Sequence, residues 1–499
     1  MKKTINMILF VTALATASML SCNSPDLVPE APLSLEYSII DGDTVKTKKV
    51  KNYKNAYDGN KSKYVVISWQ DTTVTFKEPK LPKEPSKEPD LAKIKNNKDP
   101  ELKGKPLKML TVGGNLASGV RDGGYFNEGI LTSFPNLLAR QMRLKKFESP
   151  LFSKENYNGL GRQVPASNNI SGGPFKKSKF ADNNLAFTDY NKVNEKFENL
   201  ELYKGDPDNY AMPFLTISGI LTRYIKSEGS SGQAYSRLYP ESNKEESFLD
   251  IFSKKKFDFF VFEFGNDEVF KTITNYGYAG EGALDRNEYI EREDIPEYEY
   301  INRVPSEIKL MREVFVPSEA KGVLMNIPNW LSAPYFVDSE AIRQALMGNV
   351  YRQEDINSLV RDRLFKKSAV VDSILSTKVP YIIKPVIDKK HPIVLLRDYL
   401  DPYIIDLVNL TINVQNDMVT RLAKRYSLPV ADIKGLFEKV NRKEGFIDNF
   451  GTLITQENLF SSDSLYPSPL GNALITNEII KAINAFYGLK IQEINTQEF

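Results

Sequence analysis

Polar residues follow two strongly apolar runs of this sequence and open its last helix, at positions suited to a functional site. They lie in three segments, Gly113–Gly124, Gly265–Asp267 and Asp463–Gly471, which include Asn115, Asn266, Asp267, Asp463 and Tyr466. In open α/β sheets, ligands meet the carboxyl ends of the strands. We therefore predict that these side chains converge on one site, although they lie far apart in the chain.

The residue types at these positions are poorly suited to nucleophilic catalysis. An asparagine amide does not attack esters usefully, and a tyrosine with its ordinary pKa of about 10 is a poor base at neutral pH. Histidine usually does this work, but the chain has one histidine, His391, which stands in a charged segment. We predict that His391 is an ordinary surface or structural residue.

Alternating strands and helices from residue 106 onward must position these side chains. Predicted strands are Met109–Val112, Phe257–Phe264, Val323–Ile327 and Pro429–Ala431. Predicted helices are Phe134–Met142, a long helix with Leu407, Leu410, Val414, Met418 and Leu422 on one face, and a final amphipathic helix through Ile475 and Ile483. This order predicts an α/β fold of three layers, α/β/α, around a central parallel sheet.

Composition excludes two broad classes of protein. Of 499 residues, 41% are hydrophobic and 26% are charged, as is usual for globular chains and unlike disordered ones. The formal net charge is +2, and no basic stripe interleaved with aromatic residues is present. We therefore predict no nucleic-acid partner. The single cysteine excludes an intramolecular disulfide.

The N-terminus carries the pattern of an export signal. Two lysines precede a short apolar run, residues 5–20, that ends just before Cys22. Such a run is typical of a secretory signal rather than a membrane span. The junction resembles the bacterial lipobox, although Met19 stands where leucine is usual, so we predict a signal peptide over residues 1–21 and lipid attachment at Cys22. The alternative is an ordinary signal peptide with an incidental cysteine. Asn23 is not the aspartate that retains lipoproteins in the inner membrane, so the outer membrane is the expected location.

Two segments separate this anchor from the main domain. Residues 22–77 contain β-branched and aromatic runs at Leu33–Ile40, Tyr64–Trp69 and Thr72–Phe76, which predict a small β-rich module. Residues 78–105 are rich in lysine, glutamate and proline with few large apolar residues, which predicts a solvated linker. The main domain is predicted to cover residues 106–490.

Five segments, in this order, resemble blocks of the SGNH/GDSL hydrolases, and specifically a lipoprotein branch of that family common in Bacteroidetes. They are Gly113–Gly124, Leu131–Ala139, Gly265–Asp267, Gly322–Pro328 and Asp463–Gly471. The resemblance extends over residues 107–487. Each motif alone is weak, and the ordered set carries the resemblance.

The resemblance implies a serine-esterase site in which key residues are replaced. Members of the family use a serine nucleophile, a histidine in an Asp-x-x-His motif, and an oxyanion hole that includes a glycine and an asparagine. Matched residue by residue, Asn115 replaces the serine, Gly114 its neighbouring aspartate, Tyr466 the histidine and Asp189 the oxyanion glycine, whereas Asn266 and Asp463 persist. This pattern implies a degenerate esterase with no cofactor.

Three functions are compatible with this sequence. The leading hypothesis is a non-catalytic outer-membrane lipoprotein that serves as a binding or scaffold subunit, with an outer-membrane β-barrel of the fatty-acid-transport type as the implied partner. The alternatives are a lipid or carbohydrate esterase with an unconventional site and a glycan-binding surface lipoprotein. Ser118 lies near Asn115 but has no histidine to serve it. Asp122, Asp189, Asp267, Glu268 and Asp463 could bind a hard cation, but their spacing matches no recognised site.

Overall fold

The computed structural model describes residues 34–40, 43–49, 72–74, 76–165, 178–181, 183–191, 196–221, 237–238, 246–275, 288–338, 382–383, 399–400, 402–442 and 444–499. The predicted signal peptide, Cys22, the strand Tyr64–Trp69 and His391 lie outside these residues. The chain divides into two compact units, Met1–Thr75 with Lys179–Asp182, and Phe76–Ser178 with Asn183–Phe499.

The smaller unit contains a three-stranded antiparallel sheet. Strand Ser34–Ile40 pairs with Asp43–Lys49 in a register that joins Ser34 to Lys49 and Ile40 to Asp43. The short strand Thr72–Thr73 pairs with the second of these. The strand predicted at Leu33–Ile40 is confirmed over Ser34–Ile40, whereas the strand Asp43–Lys49 was not predicted.

The larger unit is a mixed α/β structure around a four-stranded parallel sheet. Its strands are β1 (Met109–Gly113), β2 (Phe259–Glu263), β3 (Lys321–Met325) and β4 (Val430–Ala431). In the sheet, β1 pairs with β2, β2 with β3 and β3 with β4. Gly113 lies opposite Glu263 where β1 and β2 end. Every residue of β1 and β2 is buried, as expected for parallel strands covered on both faces. All four predicted strands are confirmed, with bounds shifted by up to two residues.

An extended segment, residues 208–212, lies along the other edge of β1. Thr111 N–H donates to the Asp208 carbonyl oxygen at 2.9 Å, and Tyr210 N–H donates to the Thr111 carbonyl oxygen at 2.8 Å. Thr111 and Asn209 form a parallel bridge. This edge segment directs the chain after Met212 toward the carboxyl ends of β1 and β2.

Six helices matter for the site and the sheet. They are α1 (Asn115–Ser118), α2 (Phe134–Gln141), α3 (Asn266–Asn275), α4 (Pro402–Tyr426), α5 (Ile433–Val440) and α6 (Pro469–Tyr487). The Ser468 hydroxyl caps α6 by accepting from Gly471 N–H at 3.0 Å, and Gly488 ends the helix with φ +63°. The predicted helices at α2, α4 and α6 are confirmed.

Further short elements complete the larger unit. Short helices are Ala92–Ile94, Asn127–Leu131, Ser218–Leu221, Phe248–Ser253, Glu288–Glu291, Glu297–Arg303, Ser306–Leu310, the π-turn Met311–Phe315, Val316–Ser318, Trp330–Ser332, Gln456–Leu459 and Thr496–Glu498. Short strands are Gln163–Pro165, Asp189–Asn191, Lys196–Glu198, Val337–Asp338, Ile382–Ile383, Tyr399–Leu400, Phe446–Ile447 and Leu453–Ile454, with Ser178–Phe180 at the division between the units.

The buried face of α4 is rotated relative to the prediction. Leu410 was expected on that face but is 47% exposed. The buried residues of α4 are Ile404, Val408, Thr411, Ile412, Gln415, Met418, Val419 and Leu422. Sequence periodicity misplaced the face because Thr411 and Gln415 are buried there, and Thr411 lies 3.4 Å from the Thr272 hydroxyl of α3.

The segment predicted as a solvated linker belongs instead to the larger compact unit. Ile94 is fully buried, Leu102 is 5% exposed, and Pro82 and Pro85 are also buried. Lys95 Nζ pairs with the buried Asp258 carboxylate at 3.2 Å. The prediction of a free tether over residues 78–105 is therefore wrong. A few aliphatic side chains and the prolines suffice to anchor the segment, while most of its charged side chains stay in solvent.

Within the described residues, no helix combines the length and the apolar character that crossing a bilayer requires.

Candidate functional site

The turn after β1 is held by two carboxyl groups from the neighbouring strand and helix. Gly114 N–H donates to Glu263 Oε2 at 2.9 Å, and Asn115 N–H donates to Asp267 Oδ2 at 2.9 Å. Glu263 ends β2, and Asp267 lies in the first turn of α3. These bonds place Asn115 at the carboxyl edge of the sheet, as the sequence predicted.

Asn115 and Tyr466 form the centre of the site. The Asn115 amide Nδ2 donates to the Tyr466 phenol oxygen at 3.1 Å. On its other side, Asn115 Oδ1 accepts from the Phe214 backbone N–H at 3.1 Å. Asn115 is fully buried and Tyr466 is 4% exposed. Asn115 and Tyr466, which the resemblance assigns to the nucleophile and base positions, thus bind each other, and neither presents a reactive group to solvent.

Asp463 supports the loop that carries Tyr466. Its Oδ1 accepts from the backbone N–H groups of Leu465 and Tyr466, and its Oδ2 accepts from Gly123 N–H at 2.8 Å. Burial, and then the charge of Asp122, raises the pKa of Asp463 to about 6. Asp463 therefore joins the loop after β1 to the loop before α6.

Asn266 also lies at this edge, but its amide does not face Asn115. Its Nδ2 donates to Glu263 Oε1, and its Oδ1 accepts from Trp330 Nε1 at 2.7 Å. Only 1% of Asn266 is exposed. The residue that the resemblance assigns to the oxyanion hole therefore has its donor group committed to a carboxyl oxygen.

Asp189 does not belong to this site. It lies in the strand Asp189–Asn191, which pairs with Lys196–Glu198, and it is exposed. The backbone group that reaches Asn115 is instead Phe214 N–H, just beyond the edge segment 208–212. The prediction for Asp189 was wrong because the short sequence that it ends, residues 184–189, does not show which chain segment pairs with β1.

Three carboxyl groups lie together beneath the site, and we call Glu263, Asp267 and Glu268 the acid cluster. Burial raises the pKa of Glu263 and of Glu268 to about 7. Burial, and then the charge of Glu263, raises the pKa of Asp267 well above its usual value. Glu268 accepts from the backbone N–H groups of Ile217 and Gly265. The cluster thus joins the loops after β1, after the edge segment and after β2.

Aromatic side chains cover the site. The Tyr466 ring lies 5.5 Å from Phe270 and 6.2 Å from Trp330, measured between ring centroids. Burial, and then the charge of Asp267, raises the pKa of Tyr466 well above its usual value. A phenol in this environment stays protonated and cannot act as a base at neutral pH.

Three non-glycine residues around the site have left-handed backbone conformations. They are Asp122 (φ 52°), Phe214 (φ 63°) and Ser464 (φ 62°). This conformation is an outlier for a bulky residue such as Phe214, whose side chain is 39% exposed. Strained backbone of this kind is retained where surrounding contacts enforce it, and here the hydrogen bond from Phe214 N–H to Asn115 is one such contact.

Neither Ser118 nor a cluster of metal-binding side chains adds a reactive group to this site within the part of the chain that the structure describes. The Ser118 hydroxyl is buried and donates to the Asn115 carbonyl oxygen at 3.0 Å. No group of three or more histidine, cysteine, aspartate or glutamate side chains is arranged to hold a metal ion among the described residues. Asp122 pairs with Arg121 and accepts from the Ser462 hydroxyl at 2.7 Å.

Comparison with protein-family models, with curated proteins and with solved structures found no match to this chain.

Sequence reasoning missed Phe214, Glu263 and Trp330, all of which contact the predicted site residues. Glu263 carried a usable signal, since an acidic residue inside the phenylalanine-rich run 257–264 must be buried and hydrogen-bonded. Phe214 and Trp330 carried no comparable signal, because their roles depend on a backbone N–H and on a long-range contact.

Proposed function

We propose that this protein is a non-catalytic lipoprotein of the outer membrane, built on a three-layer SGNH/GDSL hydrolase-like domain, that serves as a binding or scaffold subunit of an envelope complex. Catalysis is lost because the two residues at the reactive positions are hydrogen-bonded to each other and buried. The lipid at Cys22 attaches the protein to the membrane.

The order of the strands supports the hydrolase-like fold. With the edge segment 208–212 counted as a strand, the sheet has the order 2-1-3-4-5. This is a doubly wound order, whose ligands meet the sheet where the order reverses, between the first and third strands. Asn115 and Asn266 follow those two strands, so the site lies where an enzyme of this architecture would have its catalytic centre.

The observation that carries the proposal is the 3.1 Å hydrogen bond from Asn115 Nδ2 to the Tyr466 phenol oxygen. Ester hydrolysis on this scaffold needs a hydroxyl nucleophile and a base that accepts its proton. Asn115 offers an amide, and the raised pKa of Tyr466 keeps its phenol protonated. When triad members act together, losing one costs nearly as much as losing all.

A copurification experiment tests the scaffold role. The lipidated full-length protein is extracted from its own membranes in mild detergent, captured through a C-terminal tag and analysed by quantitative mass spectrometry. We expect an outer-membrane β-barrel or another envelope protein in near-equal amount. A Cys22→Ala variant should lose membrane association and most of that partner. Recovery of the lipidated protein with no envelope protein in comparable amount would overturn the proposal.

A further inference from the structure

A cavity of about 260 Å³ lies between the hairpin Phe446–Ile454, helix α6 and the C-terminal segment. Phe446, Phe450 and Leu474 supply its apolar lining. None of the residues in the predicted esterase site lines it. A pocket of this size has room for one long side chain of another molecule.

The charged residues around this cavity favour a cation. Asp448, Glu478 and Glu493 contribute three carboxyl groups, against the two ammonium groups of Lys439 and Lys481. Burial raises the pKa of Glu493, and the positive charge of Lys481 lowers it by a smaller amount. The negative charges of Glu478 and Asp448 also raise this pKa. Among the described residues, the negative charge at Glu493 is therefore only partly offset, by Lys481 with its Nζ 3.8 Å from Glu493 Oε2.

Lys481 is the cation that Glu478 and Glu493 already hold. Its Nζ lies 2.8 Å from Glu478 Oε1 and 3.8 Å from Glu493 Oε2. The side chain of Lys481 is 42% exposed, so it lies at the rim rather than inside the protein. An incoming ammonium group would compete with Lys481 for these oxygens.

Two aliphatic side chains lie exposed on the same hairpin. Ile447, which also lines the cavity, is 71% exposed, and Leu453, directly opposite it across the two-stranded ladder, is 53% exposed. At this spacing the two side chains form one apolar contact surface. A cavity beside an exposed apolar pair is an arrangement that suits a peptide with alternating apolar and basic residues.

We propose that this surface, formed by the cavity and the Ile447–Leu453 pair, docks a segment of a partner protein that inserts a lysine side chain between aliphatic neighbours. The lysine ammonium group binds Glu493 and Glu478, and the flanking aliphatic residues contact Ile447 and Leu453. This docking surface rests on the proposed binding role and gives it a kind of partner, a segment with a lysine between aliphatic residues. Docking there does not depend on whether Asn115 and Tyr466 are catalytically inactive.

Binding of a synthetic peptide tests this inference. The probe is an acetylated, fluorescently labelled and amidated peptide Val-Leu-Lys-Leu-Val, with norleucine and glutamate versions at the central position, measured by fluorescence anisotropy against the purified protein. We expect the lysine peptide to bind roughly 3-fold or more tightly than the norleucine peptide, the size of one exposed ion pair. The glutamate peptide should bind more weakly still.

Variants with opposite expected effects make the test decisive. Glu493→Gln should weaken binding of the lysine peptide roughly 3-fold, whereas Lys481→Ala should strengthen it by a similar factor. Ile447→Ser should weaken binding of both the lysine and the norleucine peptides, and Glu457→Gln, an exposed carboxylate outside the cavity lining, should change nothing. Equal binding of the lysine and norleucine peptides, no effect of Glu493→Gln, or equally tight binding of free butylamine would overturn the proposal.

Discussion

The carboxyl group of Asp267 fills the space that a side chain at position 114 would need. A Cβ atom added to Gly114 would lie 1.7 Å from Asp267 Oδ2. The resemblance places an aspartate of the catalytic block at position 114, and here a carboxyl group from α3 occupies that region instead. Gly114 has φ −110° and ψ −135°, a pair outside the usual β region, so both its backbone conformation and the steric contact with Asp267 favour glycine.

This relationship predicts a strong coupling between the two positions. Gly114→Ala should lower the free energy of unfolding by about 1 to 3 kcal/mol, the usual cost of overpacking. In an Asp267→Ala background the same substitution should cost at least about 1 kcal/mol less, because the closest clashing atoms are gone and only the Leu215 carbonyl oxygen, 3.1 Å from the added Cβ, remains. Chemical denaturation of the four proteins measures the coupling. An equal cost of Gly114→Ala in both backgrounds would show that Asp267 does not exclude the side chain.

The Asn115–Tyr466 hydrogen bond should contribute to stability. Tyr466→Phe removes the oxygen that accepts from Asn115 Nδ2 and leaves a buried amide donor unpaired, so we expect a loss of about 1 to 3 kcal/mol in the free energy of unfolding. Tyr403→Phe, at a position that is 69% exposed, provides the matched control and should be neutral. If both variants unfold at the same denaturant concentration as the wild type, this hydrogen bond does not contribute to the stability of the fold.

The acid cluster predicts a stability that falls as pH rises. Glu268 has a pKa raised to about 7 in the folded state, so the folded protein holds a proton that the unfolded chain releases near pH 4.5. This contribution is fully present below pH 4.5 and is lost as pH rises through about 7. Glu268→Gln cannot titrate, so relative to it the wild type should lose on the order of 1 to 3 kcal/mol between pH 5 and 8.

Denaturation curves of the wild type and Glu268→Gln at several pH values measure this difference. Glu457→Gln, which removes an exposed carboxylate, should follow the wild type throughout. A difference between the wild type and Glu268→Gln that stays constant from pH 5 to 8 would contradict a raised pKa for Glu268.

The sequence predicted those parts of the fold in which burial or helix capping restricts the residue type. Continuous apolar runs at β1 and β2 marked parallel strands covered on both faces, and Ser468 and Gly488 flank a helix where capping preferences place them. The face of α4 was not predictable, because buried Thr411 and Gln415 hide its periodicity. The docked segment 78–105 was missed for a related reason, since Ile94 and two prolines anchor a segment that is otherwise solvated.

The sequence predicted several site residues that act through their side chains. It did not predict the one that acts through a backbone N–H group. Asn115, Asp463 and Tyr466 were identified through the resemblance to the motif blocks of a known family, and the structure brings them together. Asp189 was misplaced, because the group that reaches Asn115 is the Phe214 N–H group, and any residue can supply a backbone N–H. Only the pairing of residues 208–212 with β1 reveals that group.

The segment around Ile94 provides a further prediction. Ile94→Ala should destabilise the larger unit by about 2 to 4 kcal/mol, because truncating this fully buried side chain leaves a cavity in the core. Lys87→Ala, at an exposed position of the same segment, should be neutral. Thermal unfolding of both variants measures this, and an unchanged midpoint for Ile94→Ala would restore the picture of a free linker.

Ester turnover tests the absence of catalysis most directly. The purified protein is assayed with p-nitrophenyl acetate and an acetylated sugar, beside Asn115→Ala and Asp463→Ala variants whose folding is checked by circular dichroism. We predict that all three proteins hydrolyse both esters at the rate of buffer containing an unrelated protein. Turnover by the wild type clearly above that background, abolished in a folded Asn115→Ala or Asp463→Ala variant, would contradict the proposal.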